Sequence, residues 1–178
     1  AYKGGRLRLV AKRMREKAEE LEEEIVEVRK EDRAIRPFII PSQPELIGEI
    51  LKRFENAGLK IIGMKMVWVD KKFAEEHYKA HRKKPFFKEL VEFITEGPIV
   101  AFVVEGVHAV ENVRRLVGDT SPHKAAPGTI RGDFAHMSME YASKKGLGGK
   151  NIIHASSNKK EADAEIKLWF KPEELHSY

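Results

Sequence analysis

The sequence contains no cysteine, and this absence removes several kinds of site at once. Without thiols the chain forms no disulfide, no zinc–thiolate centre and no cysteine nucleophile. It also lacks long apolar runs and a recognisable signal peptide, so we expect a cytoplasmic protein with no membrane contact. Hydrophobic residues make up 42% and aromatic residues 8% of the 178, which is enough to build one folded core.

Charge, by contrast, is abundant, with 34% charged residues and a net charge of +5. One interpretation is simply a basic, well-solvated surface. The other is a protein that binds polyanions, either nucleotides or nucleic acid. Charge alone does not choose between them.

Residues 1–33 differ in character from the rest of the chain. Apolar residues recur there at helical spacing, while lysines and arginines come first and a run of glutamates follows. This order opposes the helix dipole, so such a helix gains little from its own ends. We therefore predict a charged helical extension over 1–33, either a coiled-coil or basic docking arm or, as we prefer, a solvated helix packed loosely on a domain formed by 34–178.

From residue 34 onward, strand patterns alternate with helical ones. We predict strands over 34–40, 59–69, 99–104 and 151–155, and helices over 46–57, 72–80, 107–117 and 158–170, with a further helix from Pro85. Between 118 and about 150 the chain reads as a long irregular segment. This order predicts an α/β (α+β) fold, a ferredoxin-like antiparallel sheet covered by helices.

Among the histidines, His154 has the most suggestive setting. It ends the predicted strand at 151–155, and Glu165 falls on the apolar face of the helix that follows, where a carboxylate is costly unless it is paired. A carboxylate that binds one imidazole nitrogen leaves the other as a nucleophile. Taken singly, each has a plainer interpretation, a core histidine and a salt bridge at a helix edge. His77 and His81, four residues apart, lack an evident third metal ligand and read as surface histidines.

Phosphate binding, if present, must depend largely on side chains. The sequence has no phosphate-binding glycine loop of the G-x-x-x-x-G-K-[ST] kind. Arg114, Thr120 and Arg131 lie near turns that follow or begin predicted elements, and guanidinium and hydroxyl groups suit phosphate oxygens. Together with a nucleophilic histidine, they indicate a phosphoryl-transfer site.

Two segments make this hypothesis specific, NIIHASS at 151–157 and PGTIRGDF at 127–134. With the stretches 46–66, 77–106, 109–134 and 161–175, which follow in the expected order, they resemble the nucleoside diphosphate kinase family. The resemblance implies a ping-pong reaction in which ATP or another nucleoside triphosphate phosphorylates a histidine and a nucleoside diphosphate then takes the phosphoryl group. It also implies Mg²⁺ carried by the nucleotide phosphates, with no metal site made by the protein, and a homo-oligomer built from dimers.

Carried over residue by residue, the resemblance assigns a role to each candidate. His154 is then the phosphorylated nucleophile, with Glu165 holding its ring, Ser156 supporting and Tyr78 lining the site. The expected nucleotide-binding residues are Phe86 against the base, Asn151 on the sugar, and Arg114, Thr120 and Arg131 on the phosphates.

The chain also departs from the family pattern. The first strand of the family leads to a K-P-D segment whose lysine contacts phosphates, but Arg36 to Glu45 offers no such lysine. The loop between Phe134 and Asn151 is long, Ser157 replaces an aspartate, and little follows Leu175. The alternative function is therefore a catalytically impaired member that acts as a nucleotide-binding or interaction module. A basic nucleic-acid-binding protein ranks last, because no RNA-recognition aromatic pattern is present.

Overall fold

The computed structural model describes residues 12–20, 33–39, 46–145 and 151–178. Residues 12–20 form an exposed helical stretch, α1. Met14 is 69% exposed there, and Lys12 and Glu16 form an ion pair one turn apart at 3.7 Å. Ala18 is exposed as well, and the other apolar positions of the predicted helix lie outside the described residues.

The remaining elements follow in the order strand, helix, strand, two helices, strand and four helices. They are β1 (Arg33–Ile39), α2 (Leu46–Asn56), β2 (Lys60–Val67), α3 (Lys71–His77), α4 (Phe87–Thr95), β3 (Ile99–Glu105), α5 (Ala109–Val117), α6 (Ile130–Phe134), α7 (Met139–Lys144) and α8 (Lys159–Trp169), with short 3₁₀ turns at Lys79–His81, Pro122–Lys124 and Pro172–Glu174. None of the described helices is long and apolar enough to cross a membrane.

The three strands form an antiparallel sheet in the order β1-β3-β2. The central strand β3 has the continuous apolar sequence IVAFVVE, and its first six residues are buried, as expected of a strand covered on both faces. Its alternate residues separate two cores. Val100, Phe102 and Val104 pack with residues of α2 and α5, and Ile99, Ala101 and Val103 pack with residues of α3, α4 and α8. The predicted antiparallel sheet covered by helices is confirmed.

Several predicted boundaries hold, and others move by a few residues. Gly58 ends α2 with φ +79, which suits a glycine after a helix, and the Asn158 side chain accepts from the Glu161 backbone at 3.0 Å to cap α8. The predicted helix over 72–80 instead ends at His77 and gives way to a 3₁₀ turn. The next helix begins at Phe87 and not at Pro85.

Two predictions between 118 and 155 are wrong. The long irregular stretch contains two short helices, α6 and α7, each begun by a hydroxyl cap, Thr129 and Ser138 respectively. The predicted strand over 151–155 is absent from the described residues. The Ile153 N–H instead donates to the Asn151 carbonyl at 2.8 Å, closing a three-residue turn with Ile152 at φ +69.

Candidate active site

A cavity of about 430 Å³ lies between the α3–α4 region and the segments that follow α5. This volume suits a nucleotide-sized ligand. Several predicted site residues line it, namely Tyr78, Phe86, Arg114, Thr120, Arg131, Asn151 and His154. Ser156 and Glu165 lie behind His154 and are buried.

His154 and Glu165 form the pair that the sequence suggested. The His154 Nε2 atom lies 2.9 Å from the Glu165 Oε1 atom, and the Ser156 hydroxyl donates to Oε2 at 2.7 Å. A carboxylate accepts hydrogen bonds, so Nε2 carries the proton that bonds to Glu165. The His154 side chain stays 26% exposed toward the cavity, while that of Glu165 is 8% exposed.

The environment keeps Glu165 ionised. Burial alone would raise the pKa of its carboxyl, but the hydrogen bond from His154, the nearby imidazoles and the Ser156 hydroxyl outweigh burial and hold the pKa below its ordinary value. A buried carboxylate in contact with an imidazole fixes the orientation of that ring and stabilises positive charge on it.

The turn that presents His154 is strained and firmly held. Ile152 is β-branched and adopts a positive φ, which costs on the order of 1–3 kcal/mol and persists only where the surroundings impose it. The Arg131 side chain supplies that restraint by donating to the carbonyls on both sides of Ile152, to Asn151 at 3.3 Å and to Ile153 at 2.6 Å.

Arg131 also bonds to the turn after α5. Its Nη1 donates to the carbonyls of Gly118 and Asp119 at 3.1 and 3.2 Å. Burial and the neighbouring Arg114 guanidinium lower the pKa of Arg131 to about 10, so it remains charged at neutral pH. Two guanidinium groups that repel each other at a cavity wall form an electropositive surface suited to an anion.

The other predicted residues occupy distinct parts of the cavity. Phe86 is 40% exposed at the cavity wall, where its ring centroid lies 6.0 Å from that of His81. The Asn151 side chain donates to the Thr120 carbonyl at 3.2 Å, which ties the two segments together. Tyr78 is buried, and burial raises the pKa of its hydroxyl well above the ordinary value, so the hydroxyl stays protonated.

The interpretation of His77 as a surface histidine is wrong. Its Nε2 is buried, its ring centroid lies 5.2 Å from that of His154, and its Nδ1 accepts from the Trp169 indole at 3.2 Å. The sequence signal was the stripe of Phe73, Ala74, His77 and Tyr78, which places His77 on the buried face of α3. His81 also contributes to the cavity wall.

His77, His154 and Glu165 are also the one group of potential metal ligands within the described ranges, with donor atoms within 4.8 Å of one another. Trp169 donates to Nδ1 of His77, so a neutral His77 ring carries its proton on Nε2 and offers no lone pair there. Two imidazoles and one carboxylate also differ from the oxygen ligands that Mg²⁺ prefers. This group does not fit a Mg²⁺ site.

Residues of the long loop contribute to the cavity as well, which the sequence left open. Met139 and Ser143 of α7 line it, and the Met139 N–H donates to the Ser121 hydroxyl at 3.1 Å, next to Thr120. The segment that lacks the expected lysine falls, from residue 40 to 45, outside the described residues.

The sequence model of the family described as nucleoside diphosphate kinase matches residues 34–175. A nucleoside diphosphate kinase from Pyrococcus horikoshii is 54% identical over 133 residues, which cover 75% of this chain and 80% of that protein.

Solved structures agree with this result. A nucleoside-diphosphate kinase from Borrelia burgdorferi, a transition state mimic with bound vanadate and ADP, superposes with a TM-score of 0.77 and 40% identity, covering 82% of this chain and 90% of that one. A halophilic nucleoside diphosphate kinase from Halobacterium salinarum in complex with CDP gives a TM-score of 0.73 and 41% identity, covering 83% and 93%. The chain belongs to the nucleoside diphosphate kinase family and transfers phosphoryl groups between nucleotides.

Proposed function

We propose that the chain moves the terminal phosphoryl group of a nucleoside triphosphate to a nucleoside diphosphate through a phosphohistidine at His154. The observation that carries this proposal is the bond from His154 Nε2 to the buried Glu165 carboxylate. With Nε2 engaged, Nδ1 is the ring nitrogen that we assign as the nucleophile.

The reaction then has two steps. The Nδ1 lone pair attacks the γ-phosphorus, the bond to the β,γ-bridging oxygen breaks, and the nucleoside diphosphate leaves with that electron pair. In the second step an oxygen of another nucleoside diphosphate attacks the phosphorus, and the N–P bond returns its electrons to His154. Positive charge develops on the imidazole in the first step, and the Glu165 carboxylate stabilises it.

Binding of the nucleotide is assigned to the remaining residues of the cavity. Arg114, Thr120 and Arg131 would bind the phosphates, and the repulsion between the two guanidinium groups supports an anion between them. Phe86 would stack on the base and Asn151 would bond the sugar. The exposed face of Phe86 does not distinguish bases by hydrogen bonding, which suits broad base tolerance.

The divalent cation used with the nucleotide is proposed to be Mg²⁺ bound to the phosphates as part of the substrate. The donor group at His77, His154 and Glu165 does not suit Mg²⁺, which supports delivery by the nucleotide. We also propose that the activity is cytoplasmic, as the sequence led us to expect, and that residues 1–33 are an extension separate from the domain at 34–178.

We also propose a homo-oligomer built from dimers, with a second copy of this chain covering the exposed apolar face of β2. Met64, Met66 and Trp68 alternate along one face of this strand and its end, and are 55%, 63% and 69% exposed. An apolar row of this size on an edge strand is a typical association surface. Sedimentation of wild type and of a Met64→Glu, Met66→Glu variant tests this. A wild-type monomer, or an unchanged variant, contradicts it.

The activity is tested by incubating the protein with γ-labelled ATP and Mg²⁺, followed by a chase with GDP. We expect acid-labile label on the wild type, its transfer to GTP, and no label on folded His154→Ala. His176→Ala is the matched control, because it removes an exposed histidine near the C-terminal end. A folded wild type that takes no label would refute the proposal.

A further inference from the structure

We propose that His77 is a positioning residue for phosphoryl transfer, which holds the His154 ring at the angle where one nitrogen meets Glu165 and the other meets the nucleotide. This inference rests on the proposed phosphohistidine mechanism, in which His77 has no assigned role.

A single hydrogen bond does not fix the plane of an imidazole ring. The contact between His154 Nε2 and Glu165 determines the position of one atom, but the ring can still pivot about that bond. A second contact across the ring removes this freedom. The His77 ring provides it, with a centroid distance of 5.2 Å and planes at 81°, an edge-to-face arrangement.

His77 is itself held by the helix that carries Glu165. The Trp169 indole N–H donates to His77 Nδ1 at 3.2 Å, and the two rings also pack edge to face at 5.6 Å. Trp169 lies four residues after Glu165 on α8, so both side chains project from the same face of one helix. Phe73, one turn before His77 on α3, packs against the indole at 4.5 Å.

Two residues on the same face of α8, Glu165 and Trp169, therefore restrain the orientation of the His154 ring. Glu165 binds His154 directly, and Trp169 binds it through His77, so α8 restrains the nucleophilic ring at two points. Productive phosphoryl transfer requires the attacking nitrogen in line with the leaving oxygen, and displacement by about 1 Å can cost on the order of 10²-fold in rate.

The contact also requires that His77 stay uncharged. An imidazolium there would repel the positive charge that develops on His154. Burial, together with the neighbouring His154, lowers the pKa of His77 to about 3, so the ring is neutral at neutral pH.

Three variants separate positioning from folding. His77→Ala removes the ring, His77→Asn keeps an acceptor oxygen near the place of Nδ1, and Trp169→Phe keeps an aromatic ring but removes the donor. Each is compared with His176→Ala for the single-turnover rate of phosphorylation at saturating ATP and Mg²⁺, for the KM of the nucleotide and for the Tm.

We expect His77→Ala to lower the phosphorylation rate on the order of 10- to 100-fold with little change in KM. His77→Asn keeps the acceptor for Trp169 but not the ring that contacts His154, so it should recover little of that rate. Trp169→Phe should lose part of the rate, and the double variant His77→Ala, Trp169→Phe should be no slower than His77→Ala alone.

The proposal is overturned if folded His77→Ala phosphorylates at the wild-type rate, or if the loss lies in KM alone. It is also overturned if additive losses in the double variant show that the two residues act independently. If His77→Ala does not fold, the phosphorylation rates and KM values of His77→Asn and Trp169→Phe are used instead. Wild-type rates in both variants, or losses in KM alone, then overturn the proposal. A wild type that takes no label refutes the phosphohistidine mechanism itself, a result distinct from any of these.

Discussion

Replacing Glu165 by glutamine tests whether the charge of this carboxylate contributes to catalysis beyond its hydrogen bonds. The amide has nearly the same volume, and its oxygen can accept from His154 Nε2 at the 2.9 Å position while its NH₂ group faces the Ser156 hydroxyl. Glu165→Gln therefore changes the charge and leaves the packing of a buried side chain almost unaltered.

The expected magnitude follows from that change. A hydrogen bond to a charged group contributes about 1.5–3 kcal/mol and a neutral one about 0.5–1.5 kcal/mol, so the loss is about 1–1.5 kcal/mol. If this loss falls on the transition state, where the imidazole gains positive charge, the phosphorylation rate drops roughly 5- to 15-fold.

The assay is rapid-quench measurement of label on His154, with KM measured in parallel. Glu165→Ala serves as the comparison, since it also removes the acceptor of the buried Ser156 hydroxyl and should cost about 1–3 kcal/mol of stability. If Glu165→Gln phosphorylates as fast as wild type, the carboxylate charge plays no part in the chemical step, and the reasoning is refuted.

The same variant has a distinct pH dependence of stability. Folding lowers the pKa of Glu165 from 4.5, so the unfolded chain binds the proton more tightly. The stabilisation is therefore fully present above that pH and is lost as the pH falls through the lower value of the folded state. Urea unfolding of wild type and Glu165→Gln should converge as the pH falls below 4.5, and a constant difference at acid pH would contradict the assigned pKa direction.

Other predictions concern stability. Arg131→Lys should lower the free energy of unfolding by about 2–4 kcal/mol in urea, because an ammonium group cannot replace a guanidinium that bonds to four carbonyls; an unchanged midpoint would contradict this. Gly132→Ala should sharply lower the Tm, since its Cβ would lie 2.1 Å from a backbone oxygen. Gly48→Ala, with open space around it, should raise stability by about 0.5–1 kcal/mol. Lys65→Ala should cost at most about 1 kcal/mol and less in high salt, because the pair with Glu174 is partly exposed.

Elements with strong periodicity could be predicted from the sequence. Apolar residues at helical spacing gave α2 and α5, and the continuous apolar run gave β3, because burial on one face or on two imposes these patterns. The pairing of His154 with Glu165 could also be inferred, since a carboxylate on an apolar helix face needs a partner.

What could not be predicted depends on contacts between distant segments. The residues around Ile152 have the composition of a strand, but Arg131, about twenty residues earlier, bonds to their carbonyls and stabilises a turn instead. Likewise nothing in the sequence indicated that Trp169, from a distant helix, packs against His77 and leaves it half-buried, while His81 borders the cavity.

These departures have a common physical basis, which is the fixed placement of His154. If His154 ended a strand of the sheet, the strand geometry would set the orientation of its side chain, and the ring would pack partly against core residues. A strained turn at Ile152 instead presents His154 to α8, whose Glu165 bonds to the ring directly and whose Trp169 bonds to the neighbouring His77. The strain must be offset locally, and the two bonds of Arg131 to the Asn151 and Ile153 carbonyls do so. One consequence follows for Arg131 itself, since an arginine engaged with backbone carbonyls has fewer hydrogen atoms left for phosphate oxygens. Its contribution to nucleotide binding should therefore come mainly through its charge and through the turn that it holds, with Arg114 making the more direct contact.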